Sequence, residues 1–468
     1  MKSLLTASLS LSLLCSIPAD SAEKPNILFI FADDMAVNTI HTLGNDEIIT
    51  PHLDTLATGG TTFTHAYNSG GWHGAVCVAS RTMLQTGRQL WNAQKAGKKL
   101  KTDFIQKKLL WPQLLEKAGY ETWFSGKWHV GPSRNAEQAF NHTRHIRPGM
   151  PNQVKSGYNR PLSKDDKKWI PWDKKHNGFW KGGKHWSEVL ADDGIDFLQQ
   201  AAKGDKPFFI MLAFNAPHDP RQAPKEYCDK YPYGKIKVPK NFLAEYPHEI
   251  CGNRTLRDER LAPFPRTPYS IQVNRSEYYA LITHMDAQIG RILDALKKSG
   301  KAENTIVIFS ADHGLSCGHH GLLGKQNMYD HSVRVPWIIA GPSIPAKKKI
   351  NAPIYLQDAM ATTLELAGVE KPKHVQFESV LPHIKGKGTA RSTMYSAYMN
   401  RQRMVVHGGF KLIHYPKINV ELLFNLNDDS EEMKDLSKDP AHAETLKNLR
   451  KQLKQQMKAM NDPLAATK

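Results

Sequence analysis

Three short apolar segments of this 468-residue chain each lead directly into polar residues that could carry chemistry. The segments and the residues that follow them are 26–31 with Asp33 and Asp34, 206–214 with His218, and 305–310 with Asp312 and His313. A short apolar run bounded by polar residues is typical of a buried strand. Because ligands bind beyond the carboxyl ends of the strands in α/β sheets, the sequence predicts one site at which these polar residues meet.

Helical patterns lie between these segments. In residues 276–298 the apolar side chains recur at helical spacing behind Ser276, which suits an N-cap. A second helix is predicted for residues 109–118, which Gly119 would close. Strands that alternate with helices predict an α/β fold, with a sheet flanked by helices.

The first 22 residues have the pattern of a secretory signal. Lys2 precedes an apolar stretch at residues 4–17, and small residues up to Ala22 suit a cleavage zone. We therefore expect a mature protein that begins near Glu23 and is exported, to a periplasm or to the extracellular space. No other stretch approaches the ~20 apolar residues that a membrane helix needs, so we expect no association with a membrane.

The chain is strongly basic, with 63 Lys and Arg against 45 Asp and Glu and a formal net charge of +18. Removal of the signal would take away Lys2 and Asp20, one charge of each sign, and would leave this balance unchanged. A field of this size favours anionic partners. Nucleic acid is the usual choice for a basic protein, but export favours a sulfated or carboxylated polysaccharide instead.

The mature length is large for one hydrophobic core, and the sequence changes character towards its end. We expect a catalytic domain over residues 23–388 and a smaller subdomain over residues 389–468. Within the subdomain, residues 404–407 and 411–415 have the pattern of antiparallel strands, and residues 444–460 that of an amphipathic helix.

Residues 148–186 interrupt the alternation of strands and helices with a segment rich in Lys and Trp, which we interpret as a long loop insertion. Two roles stay open. The Trp side chains could anchor a solvated loop to the core, or the segment could form a wall of the substrate cleft, where Trp stacks on sugar rings and Lys contacts anionic groups. The substrate-binding candidates are Trp169, Trp172, Lys167, Lys168 and, beyond the insertion, Arg221.

Four cysteines follow the signal, at positions 77, 228, 251 and 317. In an oxidising compartment the simple expectation is that they form disulfides. Cys228 and Cys251 lie in one stretch rich in Pro and Tyr, so a disulfide between them stays open. The sequence does not fix the pairing.

The acidic residues at the predicted strand ends suggest a metal site. One Asp pair alone is weak support, because turns and helix caps use Asp constantly. Asp33-Asp34 and Asp312-His313 at the ends of two strands of one sheet make a stronger case, since carboxylate oxygens suit Ca²⁺ or Mg²⁺. A divalent cation there would neutralise a tetrahedral anion and lower the pKa of a coordinated hydroxyl.

Cys77 is followed by Ser80 and Arg81, and then by Thr86-Gly87. This pattern resembles the signature of the formylglycine-dependent sulfatases, Cys-x-Pro/Ala-Ser-Arg with a downstream Thr-Gly. In that family a maturation enzyme reads the segment in the unfolded chain and converts the Cys to formylglycine (3-oxoalanine). One hydroxyl of the hydrated aldehyde attacks sulfur, and the other later loses a proton to expel sulfate, which divides the reaction into two easier steps.

The resemblance implies roles for five further residues, whose motifs follow the family order along the chain. Arg81 would hold the modified Cys. In a Gly-Lys-Trp-His element, Lys127 would bind the nucleophile oxygen and sulfate, and His129 would be the base of the second step. His218 would bind sulfate or protonate the leaving oxygen, and Lys325 would be the second cationic contact to sulfate.

The resemblance also implies a cofactor and a fold. The cofactor would be one divalent cation, Ca²⁺ in the first place. Its ligands would be Asp33, Asp34, Asp312, His313 and the modified Cys77. The fold would be the alkaline-phosphatase-like sandwich, with a large central mixed sheet flanked by helices and a small C-terminal α/β subdomain that contains an antiparallel sheet.

The sequence therefore predicts a sulfuric ester hydrolase that acts on a sulfated polysaccharide or oligosaccharide and requires a formylglycine-generating enzyme for its maturation. Two alternatives stay open. A phosphonate or phosphate monoester hydrolase would use the same scaffold and metal acids. A secreted polyanion-binding protein with a dead site would not need Lys127, His129, His218 and Lys325 together, so their presence argues against it.

Overall fold

The computed structural model describes residues 23–249 and 254–466, so the predicted signal and Cys251 lie outside the described residues. Within these ranges the strands are β1 (Asn26–Ala32), β2 (Thr61–Phe63), β3 (Ala66–Tyr67), β4 (Gly70–Gly71), β5 (Glu121–Lys127), β6 (His142–Arg147), β7 (Trp180–Lys181), β8 (Lys184–His185), β9 (Phe208–Ala213), β10 (Thr305–Ala311), β11 (Arg334–Val335), β12 (Trp337–Ala340), β13 (Lys348–Ile350), β14 (Ile354–Tyr355), β15 (Thr393–Tyr398), β16 (Gln402–His407), β17 (Phe410–Tyr415) and β18 (Val420–Asn425).

The α-helices of the same ranges are α1 (Pro51–Gly59), α2 (Val76–Thr86), α3 (Leu90–Lys98), α4 (Trp111–Lys117), α5 (Arg134–Ala139), α6 (Trp186–Ala201), α7 (Lys225–Cys228), α8 (Pro268–Lys298), α9 (Asp330–Val333), α10 (Asp358–Leu366), α11 (Leu381–Ile384) and α12 (Ala443–Ala459). None of these helices combines the length and the apolar composition that crossing a membrane would require.

A mixed sheet of eight strands forms the centre of the molecule, in the order β13-β2-β12-β10-β1-β9-β5-β6. The neighbours from β10 to β6 are parallel, and β12 runs antiparallel to β10. Every residue of β1, β9 and β10 is buried, because these strands are nearly uninterrupted runs of apolar residues covered on both faces. The three strands predicted from the sequence are confirmed.

Helices cover both faces of this sheet. Alternate side chains of a strand point to opposite faces, and two residues of β9 contact different helices accordingly. Phe209 packs against Trp111 of α4, whereas Leu212 lies against Gly194 of α6. Helices α8 and α1 pack together with α6, and α2 and α10 pack with α4. The predicted α/β sandwich with a mixed central sheet is confirmed.

The long helix α8 begins earlier than the sequence pattern predicted. Its N-cap is Thr267, whose side chain accepts a hydrogen bond from the N–H of Ser270. Ser276, the predicted N-cap, is buried inside the helix, so that prediction was wrong. The first two turns are rich in polar residues, which hid the apolar periodicity there. The helix predicted for residues 109–118 is α4, and Gly119 follows it with a φ of 95°.

A second sheet occupies the C-terminal region, in the order β18-β17-β16-β15-β4. The strands from β15 to β18 are antiparallel to their neighbours, and α12 packs against them, which confirms the strands and the helix predicted there. Strand β4 joins in parallel with β15. A side chain at Gly70 would lie 1.9 Å from the Ala397 carbonyl, so glycine permits this close approach. The domain boundary at residues 388 and 389 stays a prediction.

The Lys- and Trp-rich insertion is mainly irregular, as predicted, but it includes the hairpin β7–β8 and runs into α6 at Trp186. Trp169 and Trp180 are 4% and 9% exposed. These two rings therefore anchor the segment to the protein, which is the first of the two roles considered for them.

The described cysteines form no disulfide: Cys77, Cys228 and Cys317 have free thiols. A bond between Cys228 and Cys251 stays open, because Cys251 lies outside the described residues.

Asp286 of α8 connects two helices. Its carboxylate accepts hydrogen bonds from the N–H groups of His52 and Leu53 at the start of α1. Burial raises the pKa of Asp286 to about 6, although these hydrogen bonds lower it. The carboxyl group of Asp286 therefore binds its proton more tightly in the folded protein than in the unfolded chain. Its contribution to stability falls as the pH rises from about 4, the pKa in the unfolded chain, to about 6, the pKa in the folded protein.

An Asp286→Asn variant has no such titration. We expect the free energy of unfolding of the wild type, minus that of the variant, to fall by about 2 kcal/mol between about pH 4.5 and about pH 7. Urea unfolding at both pH values measures it. Asp294→Asn, at an exposed position of the same helix, is the matched control and should show no such change. A difference that stays constant or increases with pH would contradict the assignment.

Candidate active site

The carboxyl ends of β1, β9 and β10 meet at one edge of the central sheet, where the acidic residues follow. The N–H of Asp33 donates to the Ala216 carbonyl at 3.0 Å, and the N–H of Asp312 donates to the Ala32 carbonyl at 3.2 Å. These bonds continue the strand pairing into the loops and place Asp33 beside Asp312. The N–H of Asp34 donates to Asp312 Oδ1 at 3.2 Å. Three carboxylates thus share one site, each at most 1% exposed.

Helix α2 brings Cys77 and Arg81 to these carboxylates. The two residues are four positions apart and therefore lie on one face of the helix. The Arg81 guanidinium donates to Asp312 Oδ2 at 2.9 Å and to the Lys127 carbonyl at 2.7 Å. Cys77 Sγ lies 3.2 Å from His129 Nδ1. The helix therefore fixes Cys77 where the ends of the strands converge.

Lys127 and His129 come from the end of β5. The register with β6 shifts at Gly126, whose φ is 100°, and a Cβ there would lie 2.0 Å from the Ala213 carbonyl. Glycine is needed at this position for both reasons. Lys127 then enters the site fully buried, with its Nζ against Asp33 Oδ2. His129 has a φ of 53° and returns towards Cys77.

His218 and Lys325 form the other side of the site. Lys325 Nζ donates to both carboxylate oxygens of Asp34 at 2.8 Å and lies 3.0 Å from His218 Nε2. His218 Nδ1 lies 2.7 Å from the Asp219 carbonyl and 3.0 Å from Asp219 Oδ1. Because a carbonyl only accepts, Nδ1 carries a proton and Nε2 is the atom that faces the site. Burial lowers the pKa of His218, but the carboxylates of Asp34, Asp219 and Asp33 together raise it above its ordinary value.

The buried donors fit a divalent cation. Two groups of residues each bring their possible ligand atoms within 4.8 Å of one another. The first group is Asp33, Cys77, Asp312 and His313, and the second is Asp33, Asp34 and His218. Asp33 Oδ1 and His313 Nε2 have no hydrogen-bond partner among the described residues. His313 Nε2 lies 3.1 Å from Asp34 Oδ1 without the alignment of a hydrogen bond. Because both atoms also belong to residues of the first group, they support a metal site.

The charges of the site perturb its titratable groups. Burial and the neighbouring Asp33 raise the pKa of Asp312 to about 6. Burial alone would also raise the pKa values of Asp33 and Cys77. Lys127 instead holds the pKa of Asp33 well below its usual range, and Lys127 with His129 does the same for the Cys77 thiol. The cations therefore favour an anion at the position of the Cys77 side chain.

A cavity of about 400 Å³ opens at Cys77 and is lined by four of the six residues predicted to be catalytic, Cys77, His129, His218 and Lys325. Arg81 and Lys127 are buried and do not belong to its lining. A larger groove of about 590 Å³ lies between α6 and α8, but none of the predicted site residues lines it. We place the site in the smaller cavity, because the reactive groups converge there.

The rest of the cavity wall was missed by the sequence analysis. It consists of His73, Gly74, Ala75, Met150, Leu256, Arg257, Asp258 and Gln326. The sequence offers a clue to two of these residues: Gln326 follows the predicted catalytic Lys325, and Met150 belongs to the insertion. Residues 256–258 carry no motif and reach the cavity only through the fold.

The structure places the predicted substrate-binding residues away from this wall. Trp169 is buried and stacks on His176, and Arg221 is 3% exposed and donates to Asn274. Neither residue lines the cavity at Cys77, and in this arrangement their side chains serve packing and internal hydrogen bonds, so their role in substrate binding stays a prediction.

The remaining candidates, Lys167, Lys168 and Trp172, also lie outside the cavity lining. Both lysines are exposed, and the Trp172 ring is half-buried beneath the Lys225 ammonium. The insertion thus contributes one wall residue, Met150, whereas the role of these three side chains in substrate binding stays a prediction.

A family model described as Sulfatase matches residues 25–369, which is more than half of the chain. The chain belongs to the sulfatase family. A second model, described as N-sulphoglucosamine sulphohydrolase, C-terminal, matches residues 318–459. The protein is therefore an enzyme of the sulfuric ester hydrolase class, and the buried site around Cys77 is its candidate active site.

Named sulfatases resemble this one along most of its length. An arylsulfatase of Clostridium perfringens (strain 13 / Type A) is 28% identical over 462 residues, which cover 92% of this chain and 93% of the relative. An N-acetylglucosamine-6-O-sulfatase of Bacteroides thetaiotaomicron is 26% identical, with coverage of 97% of this chain and 90% of the relative.

Solved structures share the fold. A protein in complex with its substrate D-glucosamine-2-N,6-O-disulfate has a TM-score of 0.75 at 23% identity, over 95% of this chain and 100% of that one. A phosphonate monoester hydrolase from Silicibacter pomeroyi has a TM-score of 0.75 at 22% identity, over 94% and 97%. At these identities the likeness shows the fold alone.

The close approach at Gly126 yields a test of how Lys127 is positioned. In Gly126→Ala the new Cβ must displace β5 from Ala213, so we expect at least a tenfold loss of sulfatase kcat/KM and a lower Tm. Gly119→Ala is the matched control, because Gly119 has a similar φ of 95° but nothing within 4 Å of its Cβ position. It should lose about 1–3 kcal/mol of stability through backbone strain and keep its activity. Equal losses of activity in both variants would contradict the assignment.

Proposed function

We propose that this sulfatase removes sulfate from a sulfated carbohydrate and that its nucleophile is Cys77 converted to formylglycine. The observation that carries the proposal is the position of Cys77 Sγ. It lies in the cavity lining, 3.2 Å from His129 Nδ1, among cations that favour an anion there. An unmodified Cys would form a thiolate at this point, whereas a hydrated aldehyde supplies one hydroxyl that attacks sulfur and a second that later releases sulfate.

The neighbouring residues would then divide the remaining work. Lys127 and Lys325, both buried, would bind sulfate oxygens and stabilise the charge that develops on them. His218 would protonate the leaving oxygen from Nε2, since its Nδ1 proton is held by the Asp219 carbonyl. His129 would accept a proton in the second step. Arg81 would keep the modified residue in place through its bonds to Asp312 and to the Lys127 backbone.

We assign the metal site to Ca²⁺, with Asp33, Asp34, Asp312, His313 and the modified Cys77 as ligands. Oxygen donors predominate in this set, which suits a hard cation. When bound, the ion would neutralise the sulfate charge and lower the pKa of a coordinated hydroxyl. The unpartnered Asp33 Oδ1 and His313 Nε2 support the assignment.

Two features favour a carbohydrate as the substrate. The Bacteroides thetaiotaomicron relative is named for action on an N-acetylglucosamine 6-O-sulfate, and a solved structure of the same fold holds a glucosamine disulfate. The net charge of +18 also suits a sulfated polysaccharide or oligosaccharide. We further propose that the protein is exported and that a formylglycine-generating enzyme matures it before folding.

The matured protein should release sulfate from at least one of glucosamine, N-acetylglucosamine and galactose monosulfates, and a Cys77→Ala variant should lose this activity by at least a thousandfold. Ion chromatography measures the sulfate. In the wild type, the peptide that contains Cys77 should be lighter by about 18 Da, because a thiol becomes an aldehyde, whereas ordinary oxidation adds mass. Cys228→Ala, at a half-buried Cys outside the site, is the control and should keep full activity.

The outcomes separate the alternatives. Full turnover by Cys77→Ala would refute the proposed nucleophile. If the protein hydrolyses phosphonate monoesters far faster than any sulfate, the alternative of a phosphonate monoester hydrolase is favoured. The solved phosphonate monoester hydrolase has the same TM-score to this chain as the glucosamine disulfate complex. Binding of sulfated polysaccharide without any turnover would favour a secreted binding protein.

Removal of the metal tests the cation site separately. Chelation should abolish sulfate release and lower Tm, because an ion that binds only the folded state stabilises it by about 2.7 kcal/mol at a hundredfold excess over Kd. Added Ca²⁺ should restore both activity and Tm. In Asp312→Asn, Ca²⁺ should leave Tm unchanged, since one ligand is lost. Restoration by Mg²⁺ but not by Ca²⁺ would contradict the choice of ion.

A further inference from the structure

One part of the cavity wall takes no part in the proposed mechanism. It faces the catalytic groups and is formed by Met150 and residues 256–258. Arg257 is the charged residue of this wall whose side chain is most open to solvent, with a quarter of it exposed, whereas Asp258 is 2% exposed. A charged side chain held at the mouth of a reactive cavity is a candidate for substrate recognition.

Two buried carboxylates hold Arg257 in place. Its Nε donates to Asp258 Oδ1 at 2.7 Å, and its NH2 group donates to Asp219 Oδ1 at 3.1 Å. Although burial lowers the pKa of Arg257, these carboxylates raise it above its ordinary value, so the guanidinium stays charged. Asp219 also accepts a hydrogen bond from the Tyr158 hydroxyl at 2.9 Å. The guanidinium is therefore a fixed donor group.

Part of this guanidinium is left for a ligand. Among the described residues, the one hydrogen-bond partner of the Arg257 NH1 group is the Met150 thioether, which is a weak acceptor. Met150 and Arg257 both line the cavity. The NH2 group lies 3.4 Å from His218 Nε2. Arg257 thus adjoins the position at which the leaving oxygen of the sugar would receive its proton.

The charges around Arg257 favour neutral oxygens over a second anion. The guanidinium lies between the carboxylates of Asp219 and Asp258. The Lys325 ammonium, 3.8 Å from Asp258 Oδ2, is itself paired with Asp34, so this wall has no surplus positive charge. Asp258 Oδ2 accepts from Gln326 Nε2 at 2.9 Å, and a carboxylate oxygen can accept more than one hydrogen bond. The wall therefore presents a donor, Arg257, beside an acceptor, Asp258. Two neighbouring hydroxyls, one accepting and one donating, match that pair.

We propose that Arg257 and Asp258 select the substrate by binding two neighbouring hydroxyls of the sugar ring that carries the scissile sulfate. The inference rests on the proposed function and adds its substrate-selecting contacts. The preferred ring would carry free hydroxyls on the side that faces this wall, even where the rest of the polysaccharide is sulfated. Arg257 would bind the sugar, and Asp219 would position both Arg257 and His218.

The test compares substrates with and without these hydroxyls. The substrates are 4-nitrophenyl sulfate, the best sugar monosulfate of the panel above, and analogues of that sugar that each lack one ring hydroxyl. In Arg257→Met, kcat/KM for the sugar should fall by about 50-fold or more, the loss of a charged hydrogen bond. For the aryl sulfate, kcat/KM should fall by a smaller factor, since the variant loses only the hydrogen bond from Arg257 that holds Asp219. With the wild type, kcat/KM for at least one deoxy analogue should be about tenfold lower than for the parent sugar. With Arg257→Met, the two values should be equal.

Arg254→Met is the matched control, because Arg254 is exposed, pairs with Glu245 and does not line the cavity. It should leave the ratio of sugar to aryl sulfate activity unchanged. Arg257→Lys keeps the charge but not the fork of donors, so it should lose the preference for the parent over the deoxy sugar while it keeps the Tm of the wild type. If Arg257→Met does not fold, Arg257→Lys still tests the proposal.

Two results would overturn the inference. Equal losses for sugar and aryl sulfates in Arg257→Met would make Arg257 a support of the catalytic groups only. Undiminished preference for the parent sugar in Arg257→Lys would place the hydroxyl contacts elsewhere. Both results leave the proposed function standing. Absence of sulfate release by the matured wild type from every substrate would refute the proposed function and this inference with it.

Discussion

The structure depends on the neutralisation of three carboxylates that are buried together at one edge of the central sheet. Each carboxylate is paired with a cation from a different part of the chain. The pairs are Asp33 with Lys127, Asp34 with Lys325, and Asp312 with Arg81. Removing an ion from water costs several kcal/mol, and a buried charge left without its partner destabilises a protein by about 3–5 kcal/mol. The strand ends, helix α2 and the loop that holds Lys325 are therefore coupled through charge as well as through packing.

The same balance explains how the site could handle sulfate. Three carboxylates and three cations cancel, so a divalent cation added to this set leaves a surplus of about two positive charges in a low-dielectric cavity. A sulfate ester and an ionised nucleophile would together offset that surplus. The ammonium groups of Lys127 and Lys325 that balance the acids are also the groups that the proposed mechanism directs at sulfate oxygens. One arrangement of charges thus serves both the fold and the chemistry.

The sequence was sufficient to predict those parts of the site that follow from local patterns. Buried strands are apolar throughout, so the positions of Asp33 and Asp312 could be predicted at one sheet edge. The spacing of Cys77 and Arg81 places both on one helix face. The cavity wall could not be predicted in this way, because Met150 and Arg257 meet only in the folded chain, 107 residues apart. The burial of Trp169 is likewise a tertiary property, which composition does not reveal.

The insertion affects the site through Asp219, whose carboxylate it holds by a hydrogen bond. Tyr158 of the insertion donates to Asp219, and Asp219 also contacts His218 and Arg257. In the proposed mechanism, one carboxylate therefore orients both the proton donor to the leaving oxygen and the residue that binds the sugar. A change in the insertion that moves Tyr158 would alter substrate preference and proton transfer together. Selectivity and rate in this sulfatase are then coupled by a shared hydrogen-bond partner, and Lys or Trp side chains at the surface need not contact the substrate for the insertion to affect both.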